Sequence, residues 1–132
     1  MGCGWVWGAG LMGGIGPKGE AAAERFLRKL GLRTLDRNVR FVHGELDLVC
    51  REGSVLVFVE VKARSRAGHL APQTVLSEAK KQRLRRAAAT YLAQIGGWRG
   101  QIRFDLVTAL AMGDGTWSLE HHRSAFRGDG LG

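Results

Sequence analysis

The sequence predicts one small α/β domain, and three observations lead to it. Two amphipathic stretches of helical period are separated by strand-like runs, giving the order helix, three strands, helix, two strands (α-β-β-β-α-β-β). A length of 132 residues suits a single core. A hydrophobic fraction of 45% beside 24% charged residues belongs to a folded globular chain rather than a disordered one.

The elements follow in order. From Lys18 to Leu30, Ala23, Phe26, Leu27 and Leu30 recur at i, i+3, i+4 and i+7, the spacing of one helix face, and Gly31 ends the helix. Leu35 to Val42, Glu45 to Cys50 and Val55 to Arg64 read as strands, with Arg51-Glu52-Gly53-Ser54 as the turn between the last two. Ala67 to Gln73, with Gly68 and Pro72, reads as a loop. Ser77 is the N-cap of a second helix reaching Ile95, with Leu84, Ala87, Ala88, Tyr91 and Ile95 along one side and Gly96-Gly97 beyond. Ile102 to Ala111 is a further strand, and Gly113-Asp114-Gly115 turns it into a last one near Trp117 to Glu120. No repeat or linker divides the chain. Residues 1–16 are Gly-rich and uncharged and are expected to be a tail or the product of a start placed too far upstream; residues 17–126 form the domain and 127–132 a second tail. The first 16 residues lack the basic region and the long apolar stretch of a secretory signal, and Val6 stands where a myristoylation signal needs Ser or Thr.

Charge narrows the partner. Twenty Lys and Arg against 12 Asp and Glu leave a formal +8, the footprint of a polyanion binder, with nucleic acid the commonest polyanion. A membrane partner is not expected, because no basic helix carries bulky apolar anchors and no run reaches the ~18 apolar residues of a span. Cys3 and Cys50 stand far apart without a CxxC pair, which argues against a disulfide framework or a structural zinc site and fits a reducing cytoplasm.

The chemistry concentrates in Val55-Leu-Val-Phe-Val-Glu-Val-Lys-Ala-Arg64. So apolar a strand should be buried on both faces, yet it carries Glu60 and Lys62, which alternation places on one face about 7 Å apart. Burying such charges without partners costs several kcal/mol. Asp47, flanked by Leu46 and Leu48 on the neighbouring strand, can bring a second carboxylate to the same point. Two converging carboxylates make the hard-oxygen site that Mg²⁺ prefers, and such a cation with an adjacent lysine suits phosphodiester hydrolysis. The bland alternative is a structural ion pair, since Glu-x-Lys is common on strands. Glu20 lies at the flank of the first helix's apolar face and can point toward the sheet, whereas Glu24 lies further round and is expected to pair with Arg28. Arg64 shares the face of Glu60 and Lys62 and suits either a phosphate or an exposed strand end. Lys80, Lys81, Arg83, Arg85 and Arg86 surround the start of the second helix, as a phosphate-binding patch or a solvated face. Glu45 belongs beside the centre or is simply polar. His43, His69, His121 and His122 lack metal-ligand spacing, and the last two should face opposite sides of a strand.

Gly19-Glu20 before Ala23, Gly44-Glu45-Leu46-Asp47-Leu48-Val49, Val57-Phe58-Val59-Glu60-Val61-Lys62, Val75, Lys81, Tyr91-Leu92 and Arg103-Phe104-Asp105 together resemble the bacterial YraN family over about Lys18 to Phe126. That family resembles archaeal Holliday junction resolvases and the restriction-endonuclease-like, PD-(D/E)xK superfamily. The resemblance implies a restriction-endonuclease-like core, a mixed central sheet flanked by helices. It also implies Asp47, Glu60 and the Val61 carbonyl as ligands of Mg²⁺ (or Mn²⁺), Lys62 as the catalytic lysine and Glu20 as the helix-one glutamate. The superfamily's proline before the first acid is Leu46 here. The expected function is a metal-dependent endonuclease acting on structured or branched DNA, with Arg64, Lys80, Lys81, Arg83 and Arg86 on the nucleic acid. A homodimer or partner protein would supply a second centre. The rival is a non-catalytic nucleic-acid-binding or DNA-processing adaptor of the same fold, because fold membership does not establish cleavage.

Overall fold

The computed structural model describes residues 15–65, 76–129 and 131. The expected element order holds: α1 (Ile15–Lys29), β1 (Arg33–Phe41), β2 (Gly44–Glu52), β3 (Val55–Ser65), α2 (Glu78–Ile95), β4 (Ile102–Ala111) and β5 (Trp117–Phe126). The five strands form one mixed sheet in sequence order, antiparallel except for β3 and β4. A parallel pair needs a crossover, and α2 lies in that connection.

Strand β3 lies at the centre for the reason its composition gives: every residue from Leu56 to Val61 is buried. One face of the sheet packs Leu56, Phe58, Phe104 and Leu106 with Leu84, Ala87, Ala88 and Tyr91 of α2. The other packs Val57, Val59, Val61 and Val107 with Ala23 and Leu27 of α1.

The two helices among the described residues stop by the same device. The N–H of Leu32 donates to the Leu27 carbonyl and that of Gly31 to Arg28, with Gly31 at φ +100. At the end of α2, Gly97 donates to Leu92 and Gly96 to Ala93. A left-handed glycine lets the chain fold back over its last turn and satisfy those carbonyls. Ser77 caps the start of α2, its hydroxyl accepting the Lys80 N–H at 3.1 Å.

Several boundaries differ from expectation. Helix α1 already includes Ile15 and Gly16, which the Gly-rich composition places in the tail. Leu30 is exposed because the helix ends at Lys29, and the buried residues of α1 are Gly19, Ala22, Ala23, Glu24 and Leu27. Ile95 is likewise exposed in the last turn of α2. Strand β1 ends at Phe41 and leaves Val42 98% exposed at the hairpin tip. Arg51 and Glu52 belong to β2, so the turn is Gly53-Ser54 alone. Strand β5 runs to Phe126, because pairing with β4 holds its polar residues in the ladder. The loop expected at 67–73, Val75 of the family motif, His69 and Cys3 lie outside the described residues. Among the described residues no helix is long and apolar enough to cross a membrane.

The glycine at position 19 sets how closely α1 approaches the sheet. A Cβ there would stand 2.5 Å from the Ala63 Cβ and 3.4 Å from the Trp117 ring. Gly19→Ala is therefore expected to destabilise the fold by about 1–3 kcal/mol despite alanine's better helix propensity. Urea unfolding checks this; a gain in stability would show that α1 can slide away freely.

Candidate metal centre

The centre begins where β2 leaves β3. Pairing between them starts at Leu48↔Val59 and continues toward the Gly53-Ser54 turn, so Asp47 and the residues before it are not in the β3 ladder. Alternation also breaks at this point. Leu46 packs in the α2 layer, whereas Leu48 packs in the α1 layer, although two residues apart on a regular strand should share a face. The Asp47 carboxylate fills the parted rung: its Oδ2 accepts the Val61 N–H at 2.9 Å. A side chain thus satisfies a strand amide and is fixed one residue from Glu60.

Glu60 is buried on the α2 side and receives two ammonium groups. Lys62 Nζ, from its own strand, and Lys80 Nζ, from the first turn of α2, each stand 3.6 Å from Glu60 Oε2. Lys80, expected on a phosphate, is thus drawn to the acidic centre. Sequence spacing could not reveal this, because the contact depends on how α2 seats on β3.

Glu20 approaches from α1. Burial, then the charges of Glu45 and Glu60, push its carboxyl up to about 7. Asp47 is driven the same way, well above the usual carboxylate range, by burial and then by Glu60 and Glu20. Part of Asp47 still reaches solvent, but its surroundings are dry enough for burial to lead. Glu20, Asp47 and Glu60 therefore repel one another across one small volume, with Glu45 at its edge.

One neighbour was not anticipated. Asn38 falls opposite Asp47 in the β1–β2 ladder, between the pairs Arg37↔Leu48 and Val39↔Leu46. It has φ +49 within a strand and is 1% exposed. It stands near enough to Glu20 to favour the carboxylate form, yet both its side-chain atoms and Glu20 Oε1 are buried without a hydrogen bond. The closeness falls short of bonding geometry. A buried polar group left this way costs about 1–3 kcal/mol.

Of the expected phosphate contacts, Arg83 and Arg86 are exposed, and Lys81 lies 4.0 Å from Glu78. Arg64 Nη1 donates to the Ala63 carbonyl. Arg85 instead ties α2 to the chain end, through the Arg127 carbonyl at 2.7 Å, Asp129 at 3.6 Å and the Phe126 ring. Glu24 pairs with Arg28 as expected and also, more tightly, with Arg37 at 2.9 and 2.6 Å. Burial opposes its ionisation, but these partners hold its carboxyl below the usual range. Cys50 is a buried free thiol, pushed up to about 12 by burial and unsuited to nucleophilic work.

A second charged group lies outside this centre. Asp105 is fully buried and accepts two bonds from Arg103, at 2.8 and 3.0 Å, and the Ser124 N–H at 3.0 Å. His121 Nε2 stands 2.7 Å from it, while His122 lies near Thr108. The family motif's Asp105 is thus a satisfied structural anchor.

The donor chemistry suits Mg²⁺. Among the described residues no three His, Cys, Asp or Glu side chains are arranged to hold a metal between them. Mg²⁺, however, commonly takes one or two carboxylates and keeps several waters. Asp47 and Glu60 supply two, and the mutual repulsion of the three acids is what a cation would relieve. The orphaned Glu20 Oε1 is one further hard oxygen without a partner.

Comparison with known proteins gives the same kinship as the motifs. The model of "Uncharacterised protein family UPF0102" matches residues 19–109, and the chain belongs to this family, the YraN family. A UPF0102 protein of Anaeromyxobacter dehalogenans is 45% identical over 116 residues, covering 88% of this chain and 86% of the relative. One from Symbiobacterium thermophilum is 42% identical, covering 85% and 95%. One from Syntrophotalea carbinolica is also 42% identical, covering 88% and 94%.

The raised Glu20 carboxyl has a pH consequence. Its folded value of about 7 lies above the ordinary 4.5, so folding favours its protonated form. The group weakens the metal-free fold progressively as pH rises from about 4.5 to 7. Glu20→Gln should therefore leave stability near pH 4 unchanged and raise it at pH 8, by at most about 3 kcal/mol before solvent screening. Thermal unfolding in chelator across this range checks the sign; equal effects at both pH values would refute the buried repulsion.

Proposed function

We propose that this UPF0102 protein is a Mg²⁺-dependent endonuclease that hydrolyses phosphodiester bonds in nucleic acid, with structured or branched DNA as its substrate. The observation that carries the reading is the meeting of Asp47, Glu60 and Glu20 at the parting of β2 from β3, with Lys62 beside Glu60. Asp47 and Glu60, with the Val61 carbonyl, would hold the cation. When bound, that cation would polarise the phosphodiester and lower the pKa of the attacking water. Val61 N–H fixes the Asp47 carboxylate, so one ligand is oriented before any cation arrives. Lys62, placed next to Glu60, can orient the attacking water or balance charge on the phosphoryl oxygens. Lys80 can move from Glu60 to a phosphate once the carboxylate has another partner. Exposed Arg83 and Arg86, in a chain of formal charge +8, suit the backbone on either side. A second copy or a partner protein would supply the centre for the opposite strand.

One observation favours the rival adaptor reading. Glu60 already has two ammonium groups at 3.6 Å, and a protein that only binds nucleic acid could keep that arrangement as a neutralised structural cluster. The two readings part on metal-dependent turnover.

The test uses duplex, flap and four-way DNA with Mg²⁺ or Mn²⁺. Wild-type protein is expected to cut at least one branched substrate. Asp47→Asn and Glu60→Gln should abolish cutting while gel-shift binding persists, and Lys62→Ala should slow turnover about 100-fold or more with metal still bound. Equal cutting by both acid variants would move the active centre elsewhere, and no cutting of any substrate by the wild type would favour the adaptor.

Binding to duplex DNA should also weaken with salt, each phosphate contact adding about 0.9 to the logarithmic slope. Arg83→Ala with Arg86→Ala is expected to lower that slope by about 2 if each meets one phosphate. An unchanged slope in a salt titration of the double variant would remove this face from the interface.

A further inference from the structure

Asn38 is placed at a high free-energy cost. A strand residue with φ +49 adopts a conformation that L side chains rarely take, although asparagine tolerates it better than most. The side chain is almost wholly buried, and neither end of its amide has a hydrogen-bond partner. Buried amides are nearly always bonded, so an orphan needs a reason. Its position supplies one: it lies across the ladder from Asp47 and beside Glu20, whose Oε1 is orphaned as well. Three unsatisfied polar atoms therefore border a set of mutually repelling carboxylates. If the Asn38 amide only stabilised the local strand, it would be expected to bond to the β1 or β2 backbone, and it does not.

We propose that Asn38 is a positioning residue of the cation site: its side-chain amide donates to the Glu20 carboxylate and turns that carboxylate toward the cation held by Asp47 and Glu60. The inference rests on the metal-site reading above and adds a residue to it. With Glu20 turned toward a cation, the orphaned Asn38 amide would donate to its carboxylate. Asn38 falls opposite Asp47, where β2 parts from β3, and its positive φ departs from regular strand geometry. A carboxylate held by a hydrogen-bond donor is the usual support behind a metal ligand, and losing such support costs about 10–100-fold in metal affinity.

The experiment measures Mn²⁺ binding to the nucleic-acid-free protein by calorimetry. The variants are Asn38→Gly, which keeps the positive φ without strain, Glu20→Gln, and the two combined. Urea unfolding in chelator sets a temperature at which every variant is folded. Asn38→Gly alone should weaken Mn²⁺ about tenfold or more. Added to Glu20→Gln, it should weaken binding little further, because its effect passes through that carboxylate. Unchanged affinity in Asn38→Gly, or losses that simply multiply in the double variant, would overturn the assignment. Wild-type protein that takes up no Mn²⁺ would instead sink the metal-site reading itself, and this one with it.

Discussion

The bond on which the centre depends is the one from the Val61 N–H to the Asp47 carboxylate. A central strand cannot leave an amide unpaired, so wherever a neighbour departs, something must take its place. By using a side chain, the sheet lets β2 turn away while β3 stays intact in its parallel ladder with β4. Asn38 lies across the β1–β2 ladder from Asp47 at this parting, and Glu20 and Glu60 are near enough to act on the Asp47 carboxyl. An Asp47 replacement that lost this acceptor would alter both the site and the sheet beside it, so shape-preserving changes are needed to separate the two.

The contrast with Asp105 shows why the centre is not simply a region rich in charge. Asp105 is more deeply buried than Asp47, yet it has a bidentate arginine, a histidine and a backbone N–H around it. Glu24, also buried, has Arg37 and Arg28. This fold can neutralise a buried carboxylate on the spot. Asp47 and Glu20 are left with raised carboxyls and, for Glu20, an orphaned oxygen. Under-compensation confined, among the described residues, to one place is the pattern expected of a functional site.

Much of this was legible in the residues because it depends on local period. The apolar run Val55–Val59 marked the central strand, and Ser77, Gly31 and Gly96 marked helix ends through capping chemistry. Asp47, Glu60 and Lys62 stood out as charges in strands too apolar for them. The hidden features depend on tertiary placement. In the sequence Lys80 is one member of a basic patch, and its contact with Glu60 exists only with α2 packed on the sheet. Asn38 carried no signal, since an asparagine between Arg37 and Val39 reads as an ordinary strand or turn residue. Leu30 and Ile95 fitted their helical periods but lie at or beyond helix ends, where the face no longer meets the sheet. The length of β5 was obscured by its polar residues, which satisfy its edge rather than fill a core.

The two helices have unequal parts in the site, and the inequality follows from their packing. Helix α1 comes close because Gly19, Ala22 and Ala23 form its buried face, and small residues bring its backbone, with Glu20, near the sheet. Helix α2 stands on larger side chains, Leu84 and Tyr91, and only a long side chain such as Lys80 spans the distance from its first turn to Glu60. An acid on a short arm from one side and a base on a long arm from the other leave the middle to Asp47 and Glu60. The acid is constrained by close packing, whereas the lysine can swing without disturbing the core. That division fits the proposed centre, in which the carboxylates would be fixed in advance and the lysine would exchange a carboxylate for a phosphate.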